Sequence, residues 1–266
     1  MIKRVYKGLK RHFSVSEKLL RKARKFPRYT PVHINSAGLQ LHVADLLSVA
    51  YQLKEYFFDE EFLLPFSMDS KLKIYDLGAN MGIATLYFKR KYPNAEIVVY
   101  EADPDICNYL RENIKGNLDE RQLRDIKINC QAVWIEDGEV EFKSEGADSG
   151  AVSARSTTGK KIPAIDFRNV MENEQTIDFL KMDIEGAEYE VIKAIGRFLK
   201  KVKMLFIEFH FSPDNDQQLD ILIKILNENG FDYYLKNTNP VTKPFTQLLG
   251  MNTSYQVCIY AVNKNF

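Results

Sequence analysis

The sequence predicts an α/β fold with a mostly parallel sheet, an antiparallel last strand and a helical extension before the sheet. Three observations carry this. From Leu72 onward, short β-branched runs alternate with segments of helical period, the pattern of β-α units that build parallel sheets covered on both faces. A glycine-rich turn, Asp76-Leu77-Gly78-Ala79-Asn80-Met81-Gly82, follows the first of these runs. The final two strand-like runs have a loop between them but no helix, so they are expected to pair antiparallel.

The elements follow in order. Ile2, Val5, Tyr6, Leu9 and Phe13 recur at helical spacing, as do Val15, Leu19, Leu20, Ala23 and Phe26, predicting basic amphipathic helices that stop before Pro27. A helical stretch spans about Ala44–Phe58, and Pro65 with Ser67–Ser70 reads as a linker. This divides the chain into an extension, residues 1–69, and a domain, residues 70–266. Lys73–Leu77 is a strand, Ile83–Lys91 a helix, and Ile97–Glu101 a second strand. Pro104–Ile114 is a helix with proline in its first turn, where the missing N–H is harmless. Ile126–Val133 is a third strand, and residues 138–160 form a hairpin and loop marked by Gly146–Gly150 and Ser156–Gly159. Strand Ile177–Met182, helix Ala187–Leu199, strand Met204–Phe209, helix Asp214–Asn229 and strands Phe231–Leu235 and Tyr255–Val262 complete the chain.

Composition narrows the class. The chain has 266 residues, 45% hydrophobic and 27% charged, enough for one sizeable domain with additions. No apolar run approaches the roughly 20 residues that span a bilayer, and the N-terminus lacks the apolar core of a signal peptide. Cys107, Cys130 and Cys258 are few, odd in number and far apart. They form neither a disulfide framework nor a zinc spacing, so a reducing, cytoplasmic setting is expected. The net charge of +1 hides an asymmetry: residues 1–28 hold eleven Lys or Arg against Glu17 alone, leaving 26 basic and 35 acidic residues elsewhere. Such a segment can pack on its own domain or a second subunit, or meet an anionic membrane surface.

The turn at Gly78-x-Asn80-x-Gly82 lacks the third glycine of a diphosphate-binding loop, and Asp76 before it repels phosphate but attracts an ammonium or sulfonium group. Asn80 tolerates left-handed backbone better than most residues. Glu101 closes the second strand, 25 residues after Asp76, where an acid accepts hydrogen bonds from both ribose hydroxyls. These features point to S-adenosyl-L-methionine. The predicted cofactor residues are Asp76, Gly78, Asn80, Gly82, Glu101, Ala102, Gln131, Ala132 and Asp183.

A second cluster, Lys181-Met182-Asp183-Ile184-Glu185-Gly186-Ala187-Glu188, puts three acids between a strand and the next helix. Glu188 fits a helix-start role, where acids satisfy free N–H groups. Asp183 ends a central strand, the edge where open α/β sheets hold ligands. Alternation along Met204–His210 places Glu208 and His210 on one side of the next strand. His210, Asp183 and Glu185 are the predicted catalytic residues, and no metal ligands are assigned because no recognised ligand spacing occurs.

Together, Ile74–Gly82, Tyr100-Glu101-Ala102-Asp103-Pro104 and Leu180–Glu188 resemble the FkbM family of class I methyltransferases. Ile207-Glu208-Phe209-His210 looks like that family's next block, and Ile162–Val170, with Asp166, is similar to its usual Leu-Asp stretch. The resemblance covers about residues 70–236. It implies a seven-stranded Rossmann-like sheet, S-adenosyl-L-methionine as cofactor and, usually, O-methylation of sugars or small metabolites. Family members usually carry Phe-Glu-Pro where this chain has Tyr100-Glu101-Ala102-Asp103-Pro104, a departure that leaves the ribose role of Glu101 intact.

A hydroxyl acceptor needs a base within hydrogen-bond reach. His210 or Asp183 is expected to take the proton, with Glu185 or Glu208 orienting the acceptor. Two alternatives stay open: an NAD-linked Rossmann oxidoreductase, and a non-catalytic S-adenosylmethionine-binding protein. A nucleic-acid substrate is not expected, since no Asn-Pro-Pro-aromatic motif occurs and Asn239-Pro240-Val241 reads as a turn. The expected partners are a small-molecule or glycan acceptor, a membrane surface at the basic N-terminus, and a second copy of the chain. The segments Gly138–Lys160 and Asn237–Ser254 are expected to shape the acceptor pocket.

Overall fold

The structure, a computed structural model, describes residues 15–143, 151–152, 160–211, 218–238, 244–247 and 255–266. The expected turns at 146–150, 156–159 and 239–241, the start of the helix at 214, the basic segment before residue 15, and parts of both pocket-shaping loops lie outside these residues.

Helix α1 covers residues 15–23, followed by strands β1 (Val32–Ser36) and β2 (Leu39–Val43) and helix α2 (Leu46–Leu53), which runs into a π turn, Lys54–Phe58. Then come β3 (Lys73–Leu77), α3 (Ile83–Lys91), β4 (Glu96–Tyr100), α4 (Pro104–Asn117), α5 (Glu120–Arg124) and β5 (Ile126–Asn129). A lateral group holds β6 (Ala132–Trp134), β7 (Gly138–Lys143), β8 (Ala151–Val152) and β9 (Lys160–Asp166), followed by α6 (Phe167–Asn173). The chain continues with β10 (Ile177–Met182), α7 (Glu188–Ile195), a 3-10 turn (Gly196–Lys201) and β11 (Val202–Phe211). It ends with α8 (Leu219–Glu228), β12 (Phe231–Asn237), α9 (Pro244–Gln247) and β13 (Tyr255–Asn263).

The main sheet has seven strands in the order β12-β13-β11-β10-β3-β4-β5. Strands β11, β10, β3, β4 and β5 pair in parallel, and β13 runs antiparallel to both β11 and β12. This is a Rossmann-like sheet with the expected antiparallel last strand, which only the four-residue α9 separates from β12 among the described residues. Residues of β3 and β10 alternate between two apolar cores: Ile74 and Phe179 enter one, Tyr75 and Leu180 the other. Strand order reverses at β3, so the crevice at the carboxyl ends of β3 and β10 is where such a sheet takes a ligand.

The helices start where local chemistry fixes them. Asp103 caps α4 by accepting the Asp105 and Ile106 amides, with Pro104 in the first turn, and Asp45 does the same for α2 with Leu47 and Ser48. Both caps satisfy N–H groups that have no partner within the helix.

The segment before β3 is built into the same molecule. Leu20 and Ala23 of α1 share a core cluster with α2, α3 and α4. The β1–β2 hairpin, unassigned by sequence pattern, lies on α4: Asn113 accepts the His42 amide at 2.8 Å and donates to the His42 carbonyl at 3.0 Å. Asn117 repeats this exchange with Gln40. Lys236 of β12 reaches back to Glu61 at 2.7 Å.

Two expectations are corrected. The strand expected at Ile126–Val133 is two strands: β5 stays in the main sheet, and β6 pairs with β9 in a separate four-stranded sheet. The hairpin expected at 138–160 belongs to that sheet, with β7 antiparallel to β9. The cysteines are not all free either. Cys107 and Cys130 are bridged, with Cα atoms 5.9 Å apart, while Cys258 is free and buried. The helix leaving the carboxyl edge of β4 starts beside the carboxyl end of β5, so one β-α step brings together two residues 23 apart.

Candidate active site

The turn after β3 is pinned on both sides. The Gly78 and Ala79 amides donate to the Tyr100 carbonyl at 2.9 and 3.0 Å. Gly78 has φ +74°, and a Cβ there would lie 1.7 Å from the Asp183 carbonyl oxygen. Asn80 takes the left-handed region at φ 51°, and its side chain accepts the Met81 amide at 2.7 Å. Gly82, at φ 88°, begins α3. A side chain at Gly78 would fill the crevice floor, so glycine is a steric requirement here.

Asp76 is fully buried. The register of β3 and β10 sets Lys181 opposite Asp76. Lys181 Nζ lies 3.5 Å from Asp76 Oδ1 and 3.3 Å from Asp183 Oδ2, and it donates to the Gly78 carbonyl at 2.9 Å. Asp76 Oδ2 accepts the Thr85 hydroxyl at 2.7 Å. Burial alone would lower the Lys181 pKa, but Asp183, Asp76 and Glu208 outweigh it and hold the ammonium charged.

Glu101 is buried at the end of β4. One carboxylate oxygen accepts the Asn80 amide at 2.7 Å, and the other accepts the Asp103 amide at 2.9 Å. Burial pushes its pKa up to about 7, against the two backbone donors that favour the charged form. Beyond it, Ala102 packs against Ala132, Ile162 and Ala164 of the lateral sheet. Ala132 is buried and Gln131 is half-buried, and neither they nor Ala102 line the cavity described below.

The acidic loop after β10 folds around Glu188. Its carboxylate accepts the Ile184 amide at 3.1 Å and the Gly186 amide at 3.1 and 3.0 Å. It also meets His210 Nδ1 at 3.0 Å. Glu188 is thus a loop-closing residue, while Glu185 sits above it with φ 55°. His210 Nε2 is 3.2 Å from Glu185 Oε2, a contact without hydrogen-bond geometry. Burial would lower the His210 pKa, but Glu188, Glu185 and Asp183 raise it well above the usual imidazole range. Burial, with Asp183 adding repulsion, pushes Glu185 and Glu208 upward.

A cavity of about 580 Å³ opens between this edge and the N-terminal segment. Gly78, Asn80, Asp183, Glu185 and Glu208 line it from the sheet. Tyr51 and Glu55 of the α2 region, Glu61, Lys236 and Tyr260 complete the wall. Burial, reinforced by Glu61, pushes the Glu55 pKa up to about 7. Of the predicted residues, Gly78, Asn80, Asp183 and Glu185 meet in this cavity; Glu101 stands behind Asn80, and His210 behind Glu185.

Sequence reasoning missed Lys181, although it lies inside the quoted motif, and it missed Glu55, Glu61, Lys236 and Tyr260. Glu55 left no clear trace, since Gln52 and Lys54 share the stretch Val49–Phe58 with it. Glu61, Lys236 and Tyr260 come together across long sequence gaps and left none.

The family model described as the Methyltransferase FkbM domain matches residues 76–233. Methyltransferase sdnD of Sordaria araneosa is 24% identical over 237 residues, covering 76% of this chain and 90% of that protein. The 2-O-methyltransferase NoeI of Sinorhizobium fredii is 25% identical over 167 residues, covering 55% of this chain and 64% of that one. The crystal structure of Methyltransferase FkbM from Methylobacillus flagellatus shares the fold, with a TM-score of 0.51 at 16% identity over 94% of this chain and 59% of that chain. The family match spans the glycine turn, Glu101, the Asp183–Glu188 loop and His210, which is more than half of the chain, and the protein belongs to the FkbM methyltransferase family.

Proposed function

We propose that this methyltransferase moves a methyl group from S-adenosyl-L-methionine to a hydroxyl of a sugar or other small metabolite. One observation carries the reading: the floor of the glycine turn and the carboxylates Asp183, Glu185 and Glu208 face one cavity. The residues fit the cofactor. Glu101 spends one lone pair of each oxygen on a backbone amide, leaving acceptor capacity for a ribose diol. Gly78 and Asn80 hold the backbone open where a nucleoside-linked amino acid would lie, and Ala102, Gln131 and Ala132 flank the adenine side. When bound, the cofactor supplies an electrophilic methyl group; the protein supplies alignment.

Asp183 is the acid that both faces the cavity and adjoins the cofactor turn, and we assign it the acceptor's proton. Glu185 orients the acceptor hydroxyl. His210 lies outside the cavity lining, with Nδ1 on Glu188 and Nε2 facing Glu185, so it acts as a positioning residue for Glu185. The name of one relative, 2-O-methyltransferase NoeI, supports oxygen as the accepting atom.

The acceptor is proposed to be a small molecule or glycan, with no role for nucleic acid. The described part of the basic segment turns Arg21, Lys22, Arg24 and Lys25 to solvent, which supports contact with an anionic membrane surface or a second copy of the chain. No helix among the described residues is long and apolar enough to cross a membrane. A cytoplasmic location is our proposal, tested by fractionating cells that express the protein.

A radiolabelled methyl-transfer screen against extracted glycans and small metabolites tests the reaction. Labelling of a hydroxyl product that drops about 100-fold or more in Asp183→Asn supports it. Thermal stabilisation by NADH but not by S-adenosylhomocysteine would replace it with the oxidoreductase alternative. Stabilisation by S-adenosylhomocysteine without labelling of any acceptor would favour the non-catalytic one.

A further inference from the structure

We propose that Asp183, Glu185 and His210 form a binding site for one divalent cation of the Mg²⁺/Mn²⁺ class, opening into the acceptor cavity. One ligand atom from each residue lies within 4.8 Å of the other two. Donors bound to one such ion at about 2.1–2.3 Å sit about 3–4.5 Å from one another, so small side-chain movements close the set. Two carboxylates and an imidazole are hard-to-borderline donors, suited to Mn²⁺ more than to soft metals.

A separate observation aims the imidazole. Its Nδ1 is tied to Glu188 at 3.0 Å, and Glu188 is itself fixed by the Ile184 and Gly186 amides. Metal-binding histidines are oriented in this way, with a carboxylate on the ring nitrogen that does not ligate. The other nitrogen, Nε2, is buried and has no hydrogen-bond partner among the described residues. It faces Glu185 Oε2 at 3.2 Å, the gap an ion would enter.

The surroundings suit a cation. Lys181 engages Asp183 through Oδ2 alone, leaving Oδ1 for a metal. Glu208 adds negative potential from β11 without belonging to the set. Asp183 and Glu185 both line the cavity, so the remaining coordination positions face water or a ligand oxygen. That such an oxygen is the acceptor hydroxyl rests on the methyl-transfer reading; binding of the ion does not.

The test uses the full chain after chelator treatment, titrated with Mn²⁺ alone and followed by electron paramagnetic resonance of the free ion. One tightly bound Mn²⁺ per chain is expected, with spin-echo modulation from a coordinated imidazole nitrogen. His210→Ala and Glu185→Gln are each expected to weaken binding about tenfold or more, while S-adenosylhomocysteine still stabilises both variants and so reports their folding. Absence of stoichiometric Mn²⁺ binding, absence of nitrogen modulation, or unchanged affinity in both variants would overturn the site. Mn²⁺ binding without methyl transfer to any acceptor would keep the site and remove the reaction. Full methyl transfer in chelator with no Mn²⁺ bound would do the reverse.

Discussion

Gly78 and Asp183 touch backbone to backbone: a methyl group on Gly78 would stand 1.7 Å from the Asp183 carbonyl oxygen. The glycine turn and the acidic loop are therefore one rigid floor, with Lys181 bound to the Gly78 carbonyl and the Asp183 carboxylate from beneath.

Gly78→Ala should break that floor. The new side chain meets fixed backbone and sits at φ +74°, so strand ends must separate, at a cost of about 2–5 kcal/mol. Isothermal titration should find S-adenosylhomocysteine binding reduced by about 100-fold or more. Wild-type affinity in a stably folded variant would contradict the fit.

Glu101 should make cofactor affinity pH-dependent. Its pKa of about 7 means that acidification neutralises the carboxylate and removes charge-assisted acceptors for the ribose. S-adenosylhomocysteine affinity should fall as pH drops from 8 to 6. Glu101→Gln should weaken binding about 10- to 100-fold at pH 8 and flatten the pH profile. An equally steep profile in the variant would assign the titration elsewhere.

Glu55 should cost the unliganded protein stability as pH rises from about 4.5 to about 7. The folded state keeps this proton up to about pH 7, whereas the ordinary carboxyl value is 4.5. Between those values the folded state binds more protons than the unfolded chain, so stability falls as pH rises. Glu55→Gln should remove its share of that fall, which Glu101, Glu185 and Glu208 also feed, and gain on the order of 1–3 kcal/mol at pH 8. Urea unfolding at pH 5 and pH 8 reads the difference, and a variant less stable than wild type at pH 8 would refute it.

The bridge between Cys107 and Cys130 should stabilise the protein by about 2–4 kcal/mol. Wild type in dithiothreitol and Cys107→Ser should melt at similarly lowered temperatures. Three titratable thiols in unfolded, unreduced protein would show that the bridge does not form.

How much of this could be read from the chain followed the range of the forces involved. The runs Lys73–Leu77, Ile83–Lys91 and Ile177–Met182 carry their signals locally, in apolar period, glycine and basic helix ends, and each matches its observed element to the residue. The antiparallel last strand was legible because no run long enough for a crossover helix precedes it; the described α9 between β12 and β13 has only four residues. The β1–β2 hairpin was not, since its register rests on Asn113 and Asn117 about 70 residues away. The expected third strand breaks at Cys130, which is bridged to Cys107, and β6 beyond it pairs with β9 instead of the main sheet. Within the site, Asp183, Glu185 and His210 stood in a readable motif. Which of them faces the cavity is a matter of packing, and His210 fell behind Glu185.

The cavity wall is composed of two vocabularies. The glycine turn, Asp183, Glu185 and Glu208 lie within residues 76–233, the stretch matched by the family model, whereas Tyr51, Glu55, Glu61, Lys236 and Tyr260 lie outside it. On the methyl-transfer reading proposed above, chemistry and selection then occupy separable stretches of one chain. Exchanging residues 15–70 and the two last strands between relatives should redirect the enzyme to another acceptor while leaving methyl donation in place.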